Sequence, residues 1–143
     1  MKLGKESRYA IEGLAVLASK PFGTIMHVHD IAEAAHVSPS FLAKIFQKLH
    51  RAKLLTSSRG AVRGYALARR PNAINVTDIF VAVEGGDVFD RCIFWSDRCA
   101  DLSPCPMHAE WKRVRQAITK RMQRITLAGM ARKNPAKRMR SMR

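Results

Sequence analysis

Three cysteines and one histidine are the residues of this 143-residue chain best suited to chemistry. Cys92, Cys99 and Cys105 lie within a stretch of 14 residues, and His108 lies three residues after Cys105. Thiolate sulfur binds borderline metals and iron–sulfur clusters, and imidazole can complete such a ligand set. The spacing lacks the paired C-x2-C of a zinc ribbon. We predict a metal centre on these four residues; a Cys3His zinc site and three reduced structural cysteines remain the alternatives.

Other candidate sites are weaker. His27 and His29 alternate as residues do in a strand, but nothing nearby in the sequence completes a metal shell. No nucleophile–base group stands out, and Gly85-Gly86 is positioned to end a helix, not to open one around a phosphate. We therefore predict that the protein is not an enzyme.

The charge of the chain indicates a polyanionic partner. Lys and Arg number 26 against 11 Asp and Glu, which gives a net charge of +15 and a pI near 10.8. The charge is also segregated: residues 84–110 hold 2 basic and 6 acidic side chains, whereas residues 111–143 hold 12 basic and no acidic ones. A small domain with this excess is typical of nucleic-acid-binding proteins.

The length and apolar content indicate a folded cytoplasmic protein. The hydrophobic fraction is 47%, which is enough for a core and excludes global disorder. No apolar run approaches the roughly 20 residues of a membrane-spanning helix. The N-terminus lacks the apolar stretch and cleavage site of a secretory signal, so we expect a cytoplasmic location and no membrane partner.

The N-terminal half predicts a helix-turn-helix. A helix over Leu3 to Ser19 carries an apolar stripe, and Asp30 is placed to cap a short second helix that ends near His36. Ser38 then precedes Pro39, which suits the first position of a third helix. Two short helices separated by a tight turn are the pattern of a DNA-reading motif.

A basic hairpin follows these helices. Candidate strands cover 54–58 and 65–68, and Arg59 to Gly64 joins them with glycines near both ends. We therefore predict a mainly α fold with a small β-wing, that is, a winged helix-turn-helix. Its third helix would enter the major groove of double-stranded DNA and its wing would follow the phosphates. The candidate DNA contacts are Ser38, Ser40, Phe41, Lys44, Gln47, Lys48, Arg59 and Arg63.

The C-terminal half predicts a connecting helix, a cysteine loop and a long helix. Thr77 is placed to cap a helix over Asp78 to Glu84. The cysteines then fall in a predicted loop over 88–106. A loop of this length is unusual inside a compact domain unless something such as a metal orders it. From Met107 a helix carries a near-heptad apolar seam, which suits pairing with a twin helix, with packing on its own domain as the alternative. The seam residues are Met107, Trp111, Val114, Ile118, Met122 and Ile125. The predicted units are a DNA-binding domain over 1–70, the connecting helix over 71–87, the cluster-binding loop over 88–106, the dimerisation helix over 107–130 and a basic, disordered tail over 131–143.

Several segments together resemble the Rrf2 family of bacterial winged-helix regulators. The resemblance runs from Met1 to about Arg124 and includes the opening of the first helix, the turn between the second and third helices, the wing and the three-cysteine loop. The matching segments are Ser7-Arg8-Tyr9-Ala10, Asp30-Ile31-Ala32, Val37-Ser38-Pro39-Ser40-Phe41-Leu42, Arg59-Gly60, Gly64-Tyr65-Ala66-Leu67, Ile79, Ala82-Val83-Glu84-Gly85 and Pro104-Cys105-Pro106-Met107-His108.

The resemblance implies a homodimer that binds a pseudo-palindromic operator. It also implies a cluster on Cys92, Cys99 and Cys105, with 2Fe–2S preferred over 4Fe–4S and an apo form that lacks it. In one branch of the family the fourth ligand is the histidine three residues after the last cysteine, which His108 matches. In the nitric-oxide branch it is an acid early in the first helix, where this chain has Arg8.

These observations lead to one hypothesis and one alternative. The hypothesis is a dimeric repressor-type transcriptional regulator whose operator affinity depends on an iron–sulfur cluster that responds to redox state, iron or nitric oxide. The alternative is a winged-helix DNA-binding protein without a cluster, either constitutive or binding zinc.

Overall fold

The computed structural model describes residues 4–92, 94 and 104–133. Helix α1 (Lys5–Ala18) lies at the centre of the fold and contacts α2 (Val28–Ala35), α3 (Pro39–Arg51) and two helices further along the chain. Ala10 and Leu14 of α1 are fully buried. Gly13 allows α3 to approach, because a Cβ there would lie 2.8 Å from the ring of Phe46. The apolar stripe predicted for this helix thus forms the middle of the core.

The helix-turn-helix is present and its turn is tight. Helix α2 ends where His36 adopts a left-handed conformation, with φ 57° and ψ 43°. Ser38 and Pro39 then open α3 as predicted, although the Ser38 hydroxyl lies 3.1 Å from that of Ser40 and caps no backbone amide. The change of chain direction at His36 ends α2, so that α3 begins only three residues later, at Pro39.

The predicted start of α2 is wrong. His27 caps the helix, because its Nδ1 accepts the His29 amide at 3.1 Å, so Asp30 lies inside the first turn. The interpretation of 27–29 as a strand is also wrong for the same reason. The extended residue here is Met26, which exchanges two backbone hydrogen bonds with Tyr65 at 3.0 and 2.8 Å.

The wing is a two-stranded antiparallel hairpin. Strands β1 (Leu55–Ser58) and β2 (Gly64–Leu67) pair with Leu55 opposite Leu67 and Ser58 opposite Gly64. Leu55 and Leu67 are buried against the core, whereas the connecting residues 59–63 are exposed. The predicted fold class, a mainly α winged helix-turn-helix, is confirmed.

The connecting helix α4 (Val76–Glu84) follows a 3-10 turn at Pro71–Ala73. Its cap is Asn75, whose side chain accepts the Asp78 amide at 2.9 Å while Asp78 accepts the Asn75 amide at 3.2 Å. The prediction that Thr77 caps α4 is therefore wrong. The Thr77 hydroxyl instead bonds to the Asn75 side chain inside this capping box.

The single helix predicted over 107–130 is two helices, α5 (His108–Met122) and α6 (Leu127–Arg132). The break follows from tertiary pairing with the chain before α4. Val76 donates to the Ile125 carbonyl at 2.9 Å, and Leu127 donates to the Ile74 carbonyl at 2.8 Å. The Thr126 side chain caps α6, and the fully buried Leu127 joins the core beside α1.

The buried apolar side chains of the described residues form two clusters. The larger one unites α1 to α4, the wing and Leu127, and the smaller one joins Val76, Phe80 and Val88. No residue of α5 is buried as a whole, although the indole nitrogen of Trp111 is. Arg115 of α5 donates to the Asp90 carbonyl, after α4, at 3.2 Å. Within the described part of the chain, no helix has the length and apolar character needed to cross a membrane.

Candidate nucleic-acid interface and metal centre

The outward surface of α3 presents most of the predicted DNA contacts together. Ser38, Ser40, Lys44 and Gln47 are exposed along one side of the helix. Phe41 is 40% exposed even though its ring meets that of Tyr9 edge-on at 5.6 Å. Hydroxyl, amide and ammonium groups on an exposed helix can reach base edges and phosphates, whereas the buried face of α3 holds the helix on the core.

A cleft of about 690 Å³ lies between α3 and the wing, and several basic side chains line it. Arg59 and Arg63 of the wing lie across it from Arg51 of α3. Within the described residues, no carboxylate pairs with Arg59 or Arg63. Because no described carboxylate neutralises these two guanidinium groups, they suit the phosphate backbone of a nucleic acid. The lining residues are His27, Val28, Gln47, His50, Arg51, Ser57, Ser58, Arg59, Arg63, Gly64 and Tyr65.

Two histidines and one arginine that line this cleft were not among the predicted DNA contacts. His50 lies 3.5 Å from the Ser57 hydroxyl and contacts the Tyr65 ring, so it joins the last turn of α3 to the wing. Arg51 and His27 also line the cleft. The position of Arg51 one turn after Gln47 was the available signal, whereas His27 enters only because the chain before α2 pairs with the wing.

Lys48 lies apart from the other predicted contacts. Its ammonium nitrogen is 2.5 Å from a carboxylate oxygen of Glu6 and 3.4 Å from the Val83 carbonyl oxygen. Lys48 is therefore directed towards α1 and the end of α4, and it is the one half-buried residue among the eight predicted DNA contacts.

The predicted metal ligands lie on two segments. Cys92 follows α4, whereas Cys105 and His108 stand at the start of α5, where His108 donates its backbone amide to the Cys105 carbonyl at 3.0 Å. Cys92 and Cys105 are half-buried, and Cys99 lies outside the described residues. Across residues 4–92, 94 and 104–133, no three His, Cys, Asp or Glu side chains are gathered to hold a metal. Cys92, Cys105 and His108 therefore do not form a three-ligand set in this structure.

A buried donor lies beside this segment. Trp111 is one turn after His108 on α5, so the two side chains share a face of the helix. Its indole nitrogen is buried and has no hydrogen-bond acceptor in the described part of the chain. Such a group loses the free energy of hydration unless it finds an acceptor.

A hydrogen-bonded group of Glu84, Asp87 and Arg91, here called the polar collar, precedes Cys92. Arg91 bonds to both carboxylate oxygens of Asp87, at 2.8 and 3.2 Å, and to the Glu84 carbonyl at 3.0 Å. The hydrogen bond to Asp87 is the main cause that raises the pKa of the Arg91 guanidinium above its ordinary value. Glu84 in turn accepts the Gly4 amide at 2.8 Å and the Ser7 hydroxyl at 2.7 Å. The collar therefore ties the segment before Cys92 to the start of α1.

Half of the predicted apolar seam is exposed, and its other residues, Trp111, Ile118 and Met122, are half-buried. Met107, Val114 and Ile125 are 46%, 47% and 44% exposed, although Met122 packs against the smaller apolar cluster. A row of large apolar side chains at near-heptad spacing is unusual on a solvated helix. The seam therefore packs on its own domain in part, at Met122 and at Trp111, whose indole nitrogen is buried.

The exposed third helix, the basic wing and the cationic cleft between them define a DNA-binding winged helix-turn-helix protein. A sequence model of the Rrf2 family, described as iron-dependent transcriptional regulators, matches residues 3–133. The chain belongs to the Rrf2 family, which confirms the resemblance seen in the sequence. Because the family and the similar proteins are transcriptional regulators, the prediction that the protein is not an enzyme is also confirmed.

Named relatives and solved structures agree on this class. The chain is 30% identical over 127 residues to the HTH-type transcriptional regulator IscR of Vibrio cholerae, covering 89% of this chain and 73% of that protein. The structure of CymR, the global cysteine regulator of B. subtilis, is similar with a TM-score of 0.77 at 26% identity, covering 94% and 98% of the two chains. The structure of T. potens IscR is similar with a TM-score of 0.71 at 27% identity, covering 93% and 88%.

Proposed function

We propose that this DNA-binding regulator changes its operator affinity through an iron–sulfur cluster, preferably 2Fe–2S, held by Cys92, Cys99, Cys105 and His108. The observation that carries the proposal is the placement of the described ligands. Cys92 directly follows Arg91, the last residue of the polar collar that connects the end of α4 to the start of α1. Cys105 and His108 lie at the start of α5. Ligation would therefore add a link between two parts of the fold that already meet where Arg115 of α5 donates to the Asp90 carbonyl at 3.2 Å.

The donor types suit this cofactor. Thiolates with one imidazole are established ligands of iron–sulfur clusters, and a bound cluster would supply a centre sensitive to redox state and iron supply. The buried indole N–H of Trp111 supports the assignment, since hydrogen bonds to sulfur tune such centres. Because Cys92, Cys105 and His108 are not gathered in this structure, ligation would require Cys92 or the start of α5 to move.

On the DNA side, we propose that α3 reads the major groove and the wing contacts phosphates. The contacts would be Ser38, Ser40, Phe41, Lys44, Gln47, Arg59 and Arg63, to which the cleft adds Arg51. Two such modules, paired through the α5 seams of a homodimer, would place their recognition helices about 34 Å apart on a pseudo-palindromic operator. Movement at the start of α5 would change that spacing.

A second candidate function is a regulator of the same fold without a cluster. Two observations favour it: the described ligands are not gathered, and the fold is similar to CymR, whose name describes a cysteine regulator. In that case the three thiols would act as inert or zinc-binding groups.

Anaerobic reconstitution separates these two functions. Purified full-length protein is treated with ferrous iron, sulfide and thiol, and in parallel with zinc alone. The cluster assignment predicts a brown protein with visible charge-transfer absorption and matching iron and sulfide contents. A colourless protein that takes up only zinc would support the second function.

Ligand variants should locate the cluster. Cys105→Ser and His108→Ala are expected to behave differently, because a lost thiolate removes the cluster while a lost imidazole leaves it bound more weakly. The measurement is visible absorption and iron content after reconstitution. The matched control is His29→Ala, an exposed histidine far from the cysteines in sequence, which should leave the spectrum unchanged. Full cluster retention in Cys105→Ser would contradict the assignment.

The wing arginines should set part of the salt dependence of DNA binding. Each phosphate contact contributes about 0.9 to the slope of log affinity against log salt. Arg59→Ala with Arg63→Ala is therefore expected to lower the magnitude of that slope by about 2 per subunit. Lys20→Ala, an exposed cation outside the cleft, is the control. A slope that stays at the wild-type value would remove the wing from the interface.

The α5 seam should control assembly. Val114→Asp introduces a charge into the apolar seam, so we expect a dimer to become a monomer in sedimentation or light scattering. Gln116→Asp adds the same charge at an exposed position off the seam and should leave the dimer intact. Equal behaviour of the two variants would exclude the seam as the dimer interface.

A further inference from the structure

We propose that Lys48, Glu6 and Glu84 are positioning residues that fix the recognition helix α3 to the end of α4, and that Lys48 acts through Glu6 instead of contacting DNA. This assignment depends on the DNA-binding class alone and is independent of the cluster. It concerns a polar network that begins on α3 and ends one residue before Cys92.

The first part of the network joins three helix ends. Lys48 lies in the last turn of α3, and its ammonium group lies between the Glu6 carboxylate, at 2.5 Å, and the Val83 carbonyl oxygen, at 3.4 Å. Glu6 is in the first turn of α1, and Val83 is in the last turn of α4. A single cation therefore holds the end of α3 against the start of α1 and the end of α4.

The second part continues from Val83 to its neighbour. The Glu84 carboxylate accepts the Gly4 amide and the Ser7 hydroxyl, so the end of α4 also holds the start of α1. The Glu84 carbonyl accepts a hydrogen bond from Arg91, which Asp87 holds through both carboxylate oxygens. Because Cys92 follows Arg91 directly, displacement of this segment would act on the helix end to which Lys48 is bonded.

Exposure decides what these contacts do. The side chains of Lys48 and Glu6 are 36% and 40% exposed, and those of Arg91 and Asp87 are 33% and 41% exposed. Ion pairs this accessible add little to the stability of a fold. Their contribution is directional, since they select one orientation of α3 from those that the apolar core alone would allow.

The sign of one substitution separates positioning from phosphate contact. If Lys48 contacts DNA, Glu6 lowers its effective charge, and Glu6→Gln should raise the affinity for DNA. If Lys48 positions α3, Glu6→Gln releases it and lowers the affinity for the operator. We expect Lys48→Met and Glu6→Gln each to weaken operator binding about three- to ten-fold. The double variant should be no weaker than either single one, because both remove the same contact.

The experiment uses the full chain without added metal and an operator selected from random duplexes. Binding is measured at several salt concentrations against the operator and a scrambled duplex, with thermal unfolding in parallel. Positioning predicts an unchanged salt slope, unchanged binding to scrambled DNA and a nearly unchanged melting temperature. Lys44→Met, an exposed lysine on the same helix, is the control and should weaken binding to both duplexes. Tighter binding by Glu6→Gln, or a slope reduced by about 0.9 in Lys48→Met, would overturn the proposal.

Arg91→Gln extends the test to the segment before Cys92. It should weaken operator binding in the same direction as Lys48→Met and leave scrambled DNA unaffected, whereas Arg113→Ala, a highly exposed arginine of α5, should not. Operator affinity of wild-type strength in Arg91→Gln would confine the network to Lys48, Glu6 and Glu84 and overturn its connection to the cysteine segment.

Discussion

Replacing Gly64 by alanine is expected to destabilise the protein by about 3 kcal/mol or more and to abolish wing-dependent DNA binding. Gly64 has φ +147°, and a Cβ there would lie 2.1 Å from the Met26 carbonyl oxygen. That oxygen accepts the Tyr65 amide, so relieving the overlap would break the pairing of the wing with the chain before α2. The obstacle is backbone, which cannot rotate away as a side chain could.

Gly60 provides the matched control for Gly64. It lies at the other end of the same turn, and a Cβ there would meet nothing within 4 Å. Gly60→Ala is therefore expected to change the free energy of unfolding by less than about 1 kcal/mol. Denaturant unfolding and DNA binding of both variants give the comparison. Equal stability of Gly64→Ala and Gly60→Ala would contradict the described contact between the wing and Met26.

Replacing Leu127 by alanine is expected to destabilise the protein by about 3 kcal/mol, within the range of cavity-forming substitutions in a core. Leu127 is fully buried, although it lies on the short helix after α5. Its side chain packs in the core, and its backbone amide donates a hydrogen bond to the Ile74 carbonyl. These two contacts hold α6 against the DNA-binding domain. The free energy of unfolding in urea measures this effect.

Val81→Ala is the control for Leu127→Ala, because it removes an aliphatic side chain that is 41% exposed on α4. Its cost should stay below about 1 kcal/mol. If Leu127→Ala costs no more than Val81→Ala, the result would contradict the inclusion of Leu127 in the core.

The local rules of helix and strand formation predicted the DNA-binding half well. Pro39 at the first turn of α3 and the glycine-bounded wing act through short-range backbone preferences, which a sequence displays directly. The sequence predicts an apolar stripe on α3 that consists of Phe41, Leu42, Ile45, Phe46 and Leu49. All of these are buried except Phe41, which is 40% exposed. The candidate DNA contacts on that helix follow from the same pattern.

The two largest differences between prediction and structure involve long-range contacts, whereas the capping differences at α2 and α4 are local. The break between α5 and α6 arises because Ile125 and Leu127 pair with residues before α4, which no helical periodicity reveals. Lys48 has the type and position of a phosphate contact, yet Glu6, 42 residues away in sequence, holds its ammonium group. His27 caps α2 by means of a ring nitrogen, a role seldom assigned to histidine in sequence patterns.

The position of the cysteines gives the proposed control a physical basis. Cys92 is separated by one peptide bond from Arg91, and Cys105 is joined through His108 to α5, the helix that carries the proposed dimer seam. Gathering these ligands would therefore act on both the orientation of α3 and the pairing of α5. Either change alters how two recognition helices fit successive major grooves.

Operator affinity of the same preparation before and after cluster reconstitution tests the central claim most directly. Fluorescence anisotropy under anaerobic conditions at fixed salt would compare wild type with Cys105→Ser. We predict that reconstitution changes the operator affinity of the wild type by at least about five-fold and leaves that of Cys105→Ser unchanged. Equal affinity of the reconstituted and unreconstituted wild type, with a cluster verified by iron and sulfide content, would contradict the account.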